Sequence, residues 1–460
     1  MASPQPQPQP PPPAADVDLG KLSYEIFSLL ESKFLFGGAG AVGSVPGTPA
    51  RGGDGGRVRV LAIDGCGPGP GDALLAAAAL ARLEAALRAR AGDPDARVAD
   101  FFDAAAGAGA GGVLAAMLFL KGEDGRARYT AADALAFVAA SLAKGGWGGG
   151  GGRRISRWAA LFRRGERSSP LRRVFGDATL RDTVAPLLVP CYDLATAAPF
   201  LFSRSDAVES DSFDFRLRDV CAATCAAGAA AAAVRSVDGR TAIAAASGGV
   251  AAMGNPAAAA ITHVLHNKQE FPLAAGVEDL LVVSIGSGSS SGSAAPTAGW
   301  RTPMPSRSPS PAEMVRLTAE GVADMVDQAV AMAFGHTCGR NYVRIQAASP
   351  ACSGKALGSL DAKKAAAVAD GMLTQRNVEA ELFRGRRLSE KSNREKLDAF
   401  AGELVKEHER RARSPGLPNV VIKQAATPRL SSATTASSAT ATGRTASSMP
   451  SPASQGSYRC

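Results

Sequence analysis

Hydrophobic positions in this chain gather in short runs that end on glycine. Arg57–Ile63 (RVRVLAI) is a β-branched, apolar run that stops at Asp64 and Gly65, and Asp72 to Arg90 follows as an Ala/Leu segment. The pattern predicts a strand, a Gly-rich turn and a helix. The same grammar repeats at Phe101–Ala106, Gly107–Gly112 and Val113–Leu120, and Leu280–Ile285 (LLVVSI) ends in Gly286, Ser287 and Gly288. Strands alternating with helices predict an α/β sandwich around a central, largely parallel sheet. In such sheets ligands bind beyond the carboxyl ends of the strands, where all three Gly-rich turns are expected. Further helical stretches are expected near 312–334 and 388–412.

The flanks have a different texture. Residues 1–17 are a Pro/Gln-rich tail expected to be extended, whereas Leu22, Ile26, Leu29, Leu30 and Phe34 recur at helical spacing and predict an amphipathic helix over 18–36. Residues 37–56 form a Gly-rich linker. The core is expected over 57–290 with a basic insertion at 145–173, followed by a helical extension over 291–412. From Ala425 to the end the chain is rich in Ser, Thr and Ala and holds no acidic residue, so the tail over 413–460 is expected to be disordered.

Composition narrows the class. With 460 residues and 46% hydrophobic content, disorder throughout is excluded. The longest near-apolar run, Val220 to Val234, is mostly Ala and carries the polar Thr224, so no spanning helix is expected. The N-terminus has neither a basic nor an apolar signal region, which points to a cytoplasmic protein. The seven cysteines (66, 191, 221, 225, 338, 352, 460) follow no metal-ligand spacing. Reduced thiols are expected, with no metal and no cofactor.

The turn FFDAAAGAGAGG (Phe101–Gly112) admits three readings. As G-x-G-x-x-G, through Gly107, Gly109 and Gly112, it matches a dinucleotide fingerprint, but that reading needs a second strand ending in an acid roughly 20 residues on. Lys121 to Thr130 contains no apolar strand. As a degenerate G-x-S-x-G elbow, Gly107 to Gly111 occupies the strand-to-helix turn that presents a nucleophile, with Gly109 at its centre. Glycine has no side chain with which to attack.

The third reading rests on order. Asp64-Gly65-Cys66-Gly67, FFDAAAGAGAGG, LRDVCAATCAA (Leu217–Ala227) and SGGVAAMGNPAAAAITHVLHNKQEFP (Ser247–Pro272) occur in the sequence and spacing of the patatin-like phospholipases. The chain resembles most the plant patatin-related phospholipases of group III, which carry G-x-G-x-G at the serine site. The resemblance covers about residues 58 to 290 and implies a three-layer α/β/α sandwich. It further implies lipid acyl hydrolysis on phospholipids or galactolipids at a membrane surface. Carried over by position, Gly109 falls where the family has its nucleophilic serine and Ser247 where it has the partner aspartate. Gly65, Cys66 and Gly67 fall in the oxyanion loop, which continues with Pro68 and Pro70 and lacks the family's arginine. The rival reading is a lipid-binding or regulatory protein that keeps the cleft and has lost the dyad.

Substitutes for the missing serine are weaker candidates. Cys66 sits in a Gly loop near a helix start, a setting that lowers a thiol pKa, and Ser247 has no evident base beside it. Gly288 to Gly292 matches G-x-S-x-G formally, but a Pro/Ser loop follows it instead of a helix. His263, His266 and His336 read as ordinary helix-face or capping residues, and Asp64 as support for the loop.

Charge adds one further feature. Lys and Arg total 51 against 42 Asp and Glu, a net +9. Arg153, Arg154, Arg157, Arg163, Arg164, Arg167, Arg172 and Arg173 against Glu166 alone contribute +7 of it (8 − 1). Ile155, Trp158, Leu161 and Phe162 are interleaved at helical spacing, the composition of an interfacial segment facing an anionic membrane. Membrane contact is therefore expected from Arg153, Arg154, Arg157, Trp158, Phe162, Arg163 and Arg164, against the plainer reading of a solvated loop. No nucleic-acid reader motif accompanies the charge, so no nucleic-acid partner is expected.

Overall fold

In the computed structural model, residues 56–65, 70–144, 170–226, 232–246, 254–288, 308, 311–347, 362–381, 385–413 and 420–422 are described. The helix expected over 18–36, the N-terminal tail and the basic stretch from Arg153 to Ser169 lie outside these residues, as does the tail expected over 413–460 apart from Arg413 and residues 420–422, where Val421 N–H donates to Glu270 O at 2.8 Å, against the disorder expected there.

β1 (Val58–Ile63) is entirely buried and pairs in parallel with a strand on each side. Its neighbours are β2 (Ala104–Gly107) and β7 (Leu280–Gly288). Outward from β2 comes β3 (Leu187–Asp193), and outward from β7 comes β8 (Tyr342–Ala347), both again parallel. β4 (Ala198–Ser203) and the hairpin of β5 (Ala232–Arg235) and β6 (Ala242–Ala246) complete an eight-stranded sheet through antiparallel pairings. β4 occupies one edge of β3 over Leu188–Asp193. β2 and β6 therefore share the other edge, β2 at Leu187 and Leu188 and β6 at Tyr192 and Asp193.

Helices cover both faces, as the alternation of side chains along each strand requires. Leu61, Ile63, Ala105 and Val283 pack into one core with α1 (Pro70–Ala91), α2 (Gly109–Phe119) and α10 (Asn393–Arg413). Val58, Val60, Ala104 and Val282 form a second core with α7 (Ala257–His266) and α8 (Pro311–Phe334). The result is the expected three-layer sandwich. From Ala73 to Leu80, α1 is buried at every position, which an Ala-rich helix tolerates because its small side chains admit close packing all round. Among the described residues, no helix is long and apolar enough to cross a membrane.

Two expectations change. The sheet does not stop at residue 290, because β8 lies in the segment expected to be a helical extension. The helix expected from 388 begins instead at Asn393, after an antiparallel hairpin of β9 (Arg376–Glu381) and β10 (Gly385–Ser392). A capping box sets that start: Ser392 N–H donates to Glu395 Oε2 at 2.7 Å, and Glu395 N–H donates to Ser392 Oγ at 3.2 Å.

A buried ion cluster closes the amino edge of the sheet. The Asp103 carboxylate accepts from Arg59 Nη2 at 2.9 Å and from both terminal nitrogens of Arg411, on α10, at 2.8 Å. Burial works to raise the Asp103 carboxyl, but Arg59 and Arg411 outweigh it and hold the group below its ordinary value. A depressed carboxylate contributes stability that is present above its unfolded pKa and is lost as pH falls through the folded value. Asp103→Asn is thus expected to cost about 3–5 kcal/mol at neutral pH and to flatten the acid limb of the stability curve below about pH 4. Urea unfolding of both proteins between pH 7 and pH 3 checks this, and parallel curves would show that Asp103 carries none of the acid sensitivity.

Candidate active site

The ends of β1, β2 and β7 lie side by side, with Ile63 in register with both Gly107 and Ile285. All three Gly-rich turns therefore leave the same edge of the sheet. Between β2 and α2 the chain reverses within two residues, Ala108 and Gly109, and Ala108 N–H donates to Ile63 O at 3.2 Å. Small residues make the reversal possible. A Cβ on Gly107 would stand 2.3 Å from Gly111 O, and a Cβ on Gly111 would stand 2.4 Å from Ile63 O. Backbone fills the space that side chains would need.

Gly109 is different. Its φ of +50° lies in the left-handed region, the conformation of a strained elbow. The nearest described atoms to a Cβ there are Gly65 Cα at 3.3 Å, Gly65 C at 3.7 Å and Thr224 O at 3.8 Å. The position retains near-adequate room for a side chain that it does not have. Its N–H donates to Thr224 Oγ1 at 2.8 Å, and that hydroxyl donates to Pro190 O at 2.9 Å. Thr224 ends α6 (Leu217–Thr224) and is fully buried, so its hydroxyl fastens the elbow to β3 and is unsuited to attack.

Facing the elbow, Gly65 packs so closely that a Cβ on it would stand 2.4 Å from the Ala108 carbonyl carbon. Its N–H donates to Gly254 O at 2.9 Å and is therefore not free to face an oxyanion. Asp64 N–H donates to Ile285 O at 2.9 Å, and the Asp64 carboxylate is held by Arg344 of β8 at 2.6 Å. Burial pushes the Asp64 carboxyl up against the pull of that guanidinium. The described cysteines of the core are poor nucleophiles: burial pushes the Cys191 thiol up to about 12 and raises Cys221 and Cys225 as well.

The expected site residues divide as follows. Gly109 and Gly65 come together at the carboxyl edge. Cys66, Gly67, Ser247 and the membrane-contact residues Arg153, Arg154, Arg157, Trp158, Phe162, Arg163 and Arg164 lie outside the described residues. The residues that flank Ser247 do reach the site region: Ala246 is paired with Tyr192 at the end of β3, and Gly254 accepts from Gly65. His263 lies toward the opposite edge, on the last turns of α7, with Nε2 3.4 Å from Ser205 Oγ and 3.9 Å from Glu270 Oε2. His266 and His336 are exposed. Among the described residues, no group of His, Cys, Asp and Glu is arranged to hold a metal.

Two contributors escaped the sequence reading. Thr224 was visible as the lone polar residue in an Ala-rich run, a pattern that signals a buried hydroxyl with a fixed partner. Arg344 lies beyond the expected core and carried no local signal.

A family model for patatin-like phospholipase matches residues 61–261. Patatin-like protein 3 of Oryza sativa subsp. indica is 55% identical over 400 residues, covering 85% of this chain and 92% of its own length. Patatin-like protein 7 of Arabidopsis thaliana is 46% identical over 434 residues, covering 89% of this chain and 85% of its own. A third relative, from the same plant and named probable inactive patatin-like protein 9, is 38% identical over 405 residues, covering 85% and 94%. Over most of its length, then, the chain belongs to the patatin-like phospholipase family, whose chemistry is lipid acyl hydrolysis.

Proposed function

We propose that this chain engages phospholipid or galactolipid acyl esters at a membrane surface and hydrolyses them slowly, through a cleft whose nucleophile and partner positions are substituted. The observation that carries the reading is the elbow. Gly109 holds the left-handed conformation at the start of α2, fastened by Thr224 and backed by Gly65. In elbows of this kind the amide following the nucleophile position, here Ala110, is the donor offered to a developing oxyanion. That electrostatic element acts without a nucleophile and is worth about 10³–10⁴ over water where a serine hydrolase has been stripped of its triad.

The absent serine limits the rate. Loss of one member of a nucleophile–base unit forfeits most of its rate, on the order of 10⁴–10⁶, and loss of the second adds little. Gly109 in place of serine and Ser247 in place of aspartate therefore also support a second reading, a lipid-binding or regulatory protein with the family fold. Release of fatty acid from phospholipid or galactolipid by the purified full chain tests the choice. Steady release above a buffer blank supports hydrolysis, and tight lipid binding with no release supports the second reading.

Because Gly109 offers no hydroxyl, the native protein is expected to resist fluorophosphonates that label serine hydrolases. Stoichiometric labelling, followed by mapping of the modified peptide, would show that another serine has taken over. Gly109→Ser combined with Ser247→Asp is expected to raise esterase activity by at least about 10²-fold over either single change, because the two groups act as a unit. A folded double variant no more active than its parent would place the fault in the loop that contains Pro68 and Pro70.

Delivery to the membrane is assigned to residues 153–173. Each arginine near an anionic surface contributes about 1 kcal/mol, screened by salt, whereas insertion of Trp158 and Phe162 is salt-resistant. Binding to phosphatidylserine-containing vesicles is expected to be strong at low salt, partly retained at high salt and weak on neutral vesicles. Trp158→Ala with Phe162→Ala should remove the salt-resistant part, and Arg163→Glu with Arg164→Glu the low-salt part. If both variants sediment with vesicles as the parent does, the segment is a solvated loop.

A further inference from the structure

Arg344 reaches the candidate site from a strand, 280 residues downstream of Asp64 in the chain. Its guanidinium is buried, and all three of its nitrogens donate. Nη2 donates to Asp64 Oδ2 at 2.6 Å, Nη1 to Asp64 Oδ1 at 3.2 Å and to Ser284 Oγ at 2.7 Å, and Nε to Gln346 Oε1 at 3.2 Å. Asp327 of α8 completes the surroundings. Its Oδ2 lies 3.8 Å from Nε, and its Oδ1 accepts from Tyr342 OH at 2.6 Å. The passage of the fork across β7 depends on Gly286, where a Cβ would stand 2.8 Å from Nη2.

The placement of this pair matters more than its energy. A buried ion pair often stabilises no better than apolar residues of the same volume, while a two-pronged fork fixes orientation. Asp64 is the residue immediately before Gly65, and its own N–H is already tied to Ile285 O. With the carboxylate gripped at both oxygens, Asp64 is held at its amide and at its side chain. The direction in which the chain leaves toward Gly65 is then set. Gly65 in turn rests on Ala108 and Gly109 with no room for a side chain at the closest contact.

We propose that Arg344 is a positioning residue for the acyl-binding site: by gripping Asp64 across Gly286, it holds Gly65 against the Ala108–Gly109 elbow. The proposal rests on the reading of this cleft as the acyl-ester site only for its catalytic consequence. Its structural consequence stands apart from activity.

The test uses the full chain and three variants. Arg344→Lys keeps the charge and loses the fork. Asp64→Asn with Arg344→Gln removes both charges of the pair, so that neither partner is left as an unpaired ion, and Asp327 keeps the hydrogen bond from Tyr342 OH, which guards against simple unfolding. Gly286→Ala displaces the fork without touching either partner. The readouts are thermal melting, amide hydrogen exchange by mass spectrometry, and kcat and KM for ester hydrolysis. In folded variants, peptides spanning residues 60–66 and 105–112 are expected to exchange at least about tenfold faster than in the parent, while peptides from β3 and α10 are unchanged. Hydrolysis is expected to lose kcat at least about tenfold with KM nearly constant, and Arg344→Lys should recover less than half of the loss. Unchanged exchange at both peptides in folded variants overturns the proposal. So does faster exchange with unchanged kcat, which would leave the pair a purely structural tie. Should the parent release no fatty acid at all, the hydrolytic reading fails, and the exchange measurement still decides whether Arg344 holds Gly65 in place.

Discussion

Backbone against backbone at the carboxyl edge of the sheet is the constraint on which the site depends. Gly65 rests on Ala108, Gly107 lies beneath Gly111, and Gly111 lies over Ile63, each so close that a single Cβ would collide. Parallel pairing of β1 with β2 brings these segments together, and small residues let them stay in contact. From that contact come the sharp reversal into α2, the left-handed Gly109 and the narrow face that the elbow presents. A methyl group at Gly107 would part β2 from α2, and one at Gly111 would part β1 from α2.

The elbow's shape and its chemistry are separable. A residue with a side chain at a φ of this kind stores about 1–3 kcal/mol of strain, which surrounding structure has to offset. Glycine takes the same conformation with little strain. The turn persists because Gly107 and Gly111 pack as they do and because Thr224 ties Gly109 to β3. The shape of this turn therefore depends on backbone packing and not on a side chain at Gly109.

Two buried ion clusters stitch the late part of the chain onto its first strand. At the amino edge Asp103 holds Arg59 and Arg411, and at the carboxyl edge Asp64 holds Arg344. In both, an aspartate flanking an early strand is matched by an arginine from beyond residue 340. The segment after β7 is thus part of the sheet's construction, through β8, and part of its anchoring, through α10. Apolar side chains fill the layers, and these charges set where the ends of β1 and β2 sit.

By itself the sequence determined what depends on local pattern. Apolar runs ending on glycine marked β1, β2 and β7, Ala/Leu periodicity marked α1, and the order of four motifs marked the family. These features are legible because strand, turn and helix preferences are encoded within a dozen neighbouring residues. The capping box at Ser392 and Glu395 was equally local, and it separates a strand from a helix where a single helix was expected. Only the tertiary structure decided the rest. Arg344 became the partner of Asp64, and Thr224 the partner of Gly109, through pairings of strands and helices distant in sequence. A buried charge or hydroxyl takes whichever group the fold brings within about 3 Å, and no spacing along the chain records that choice.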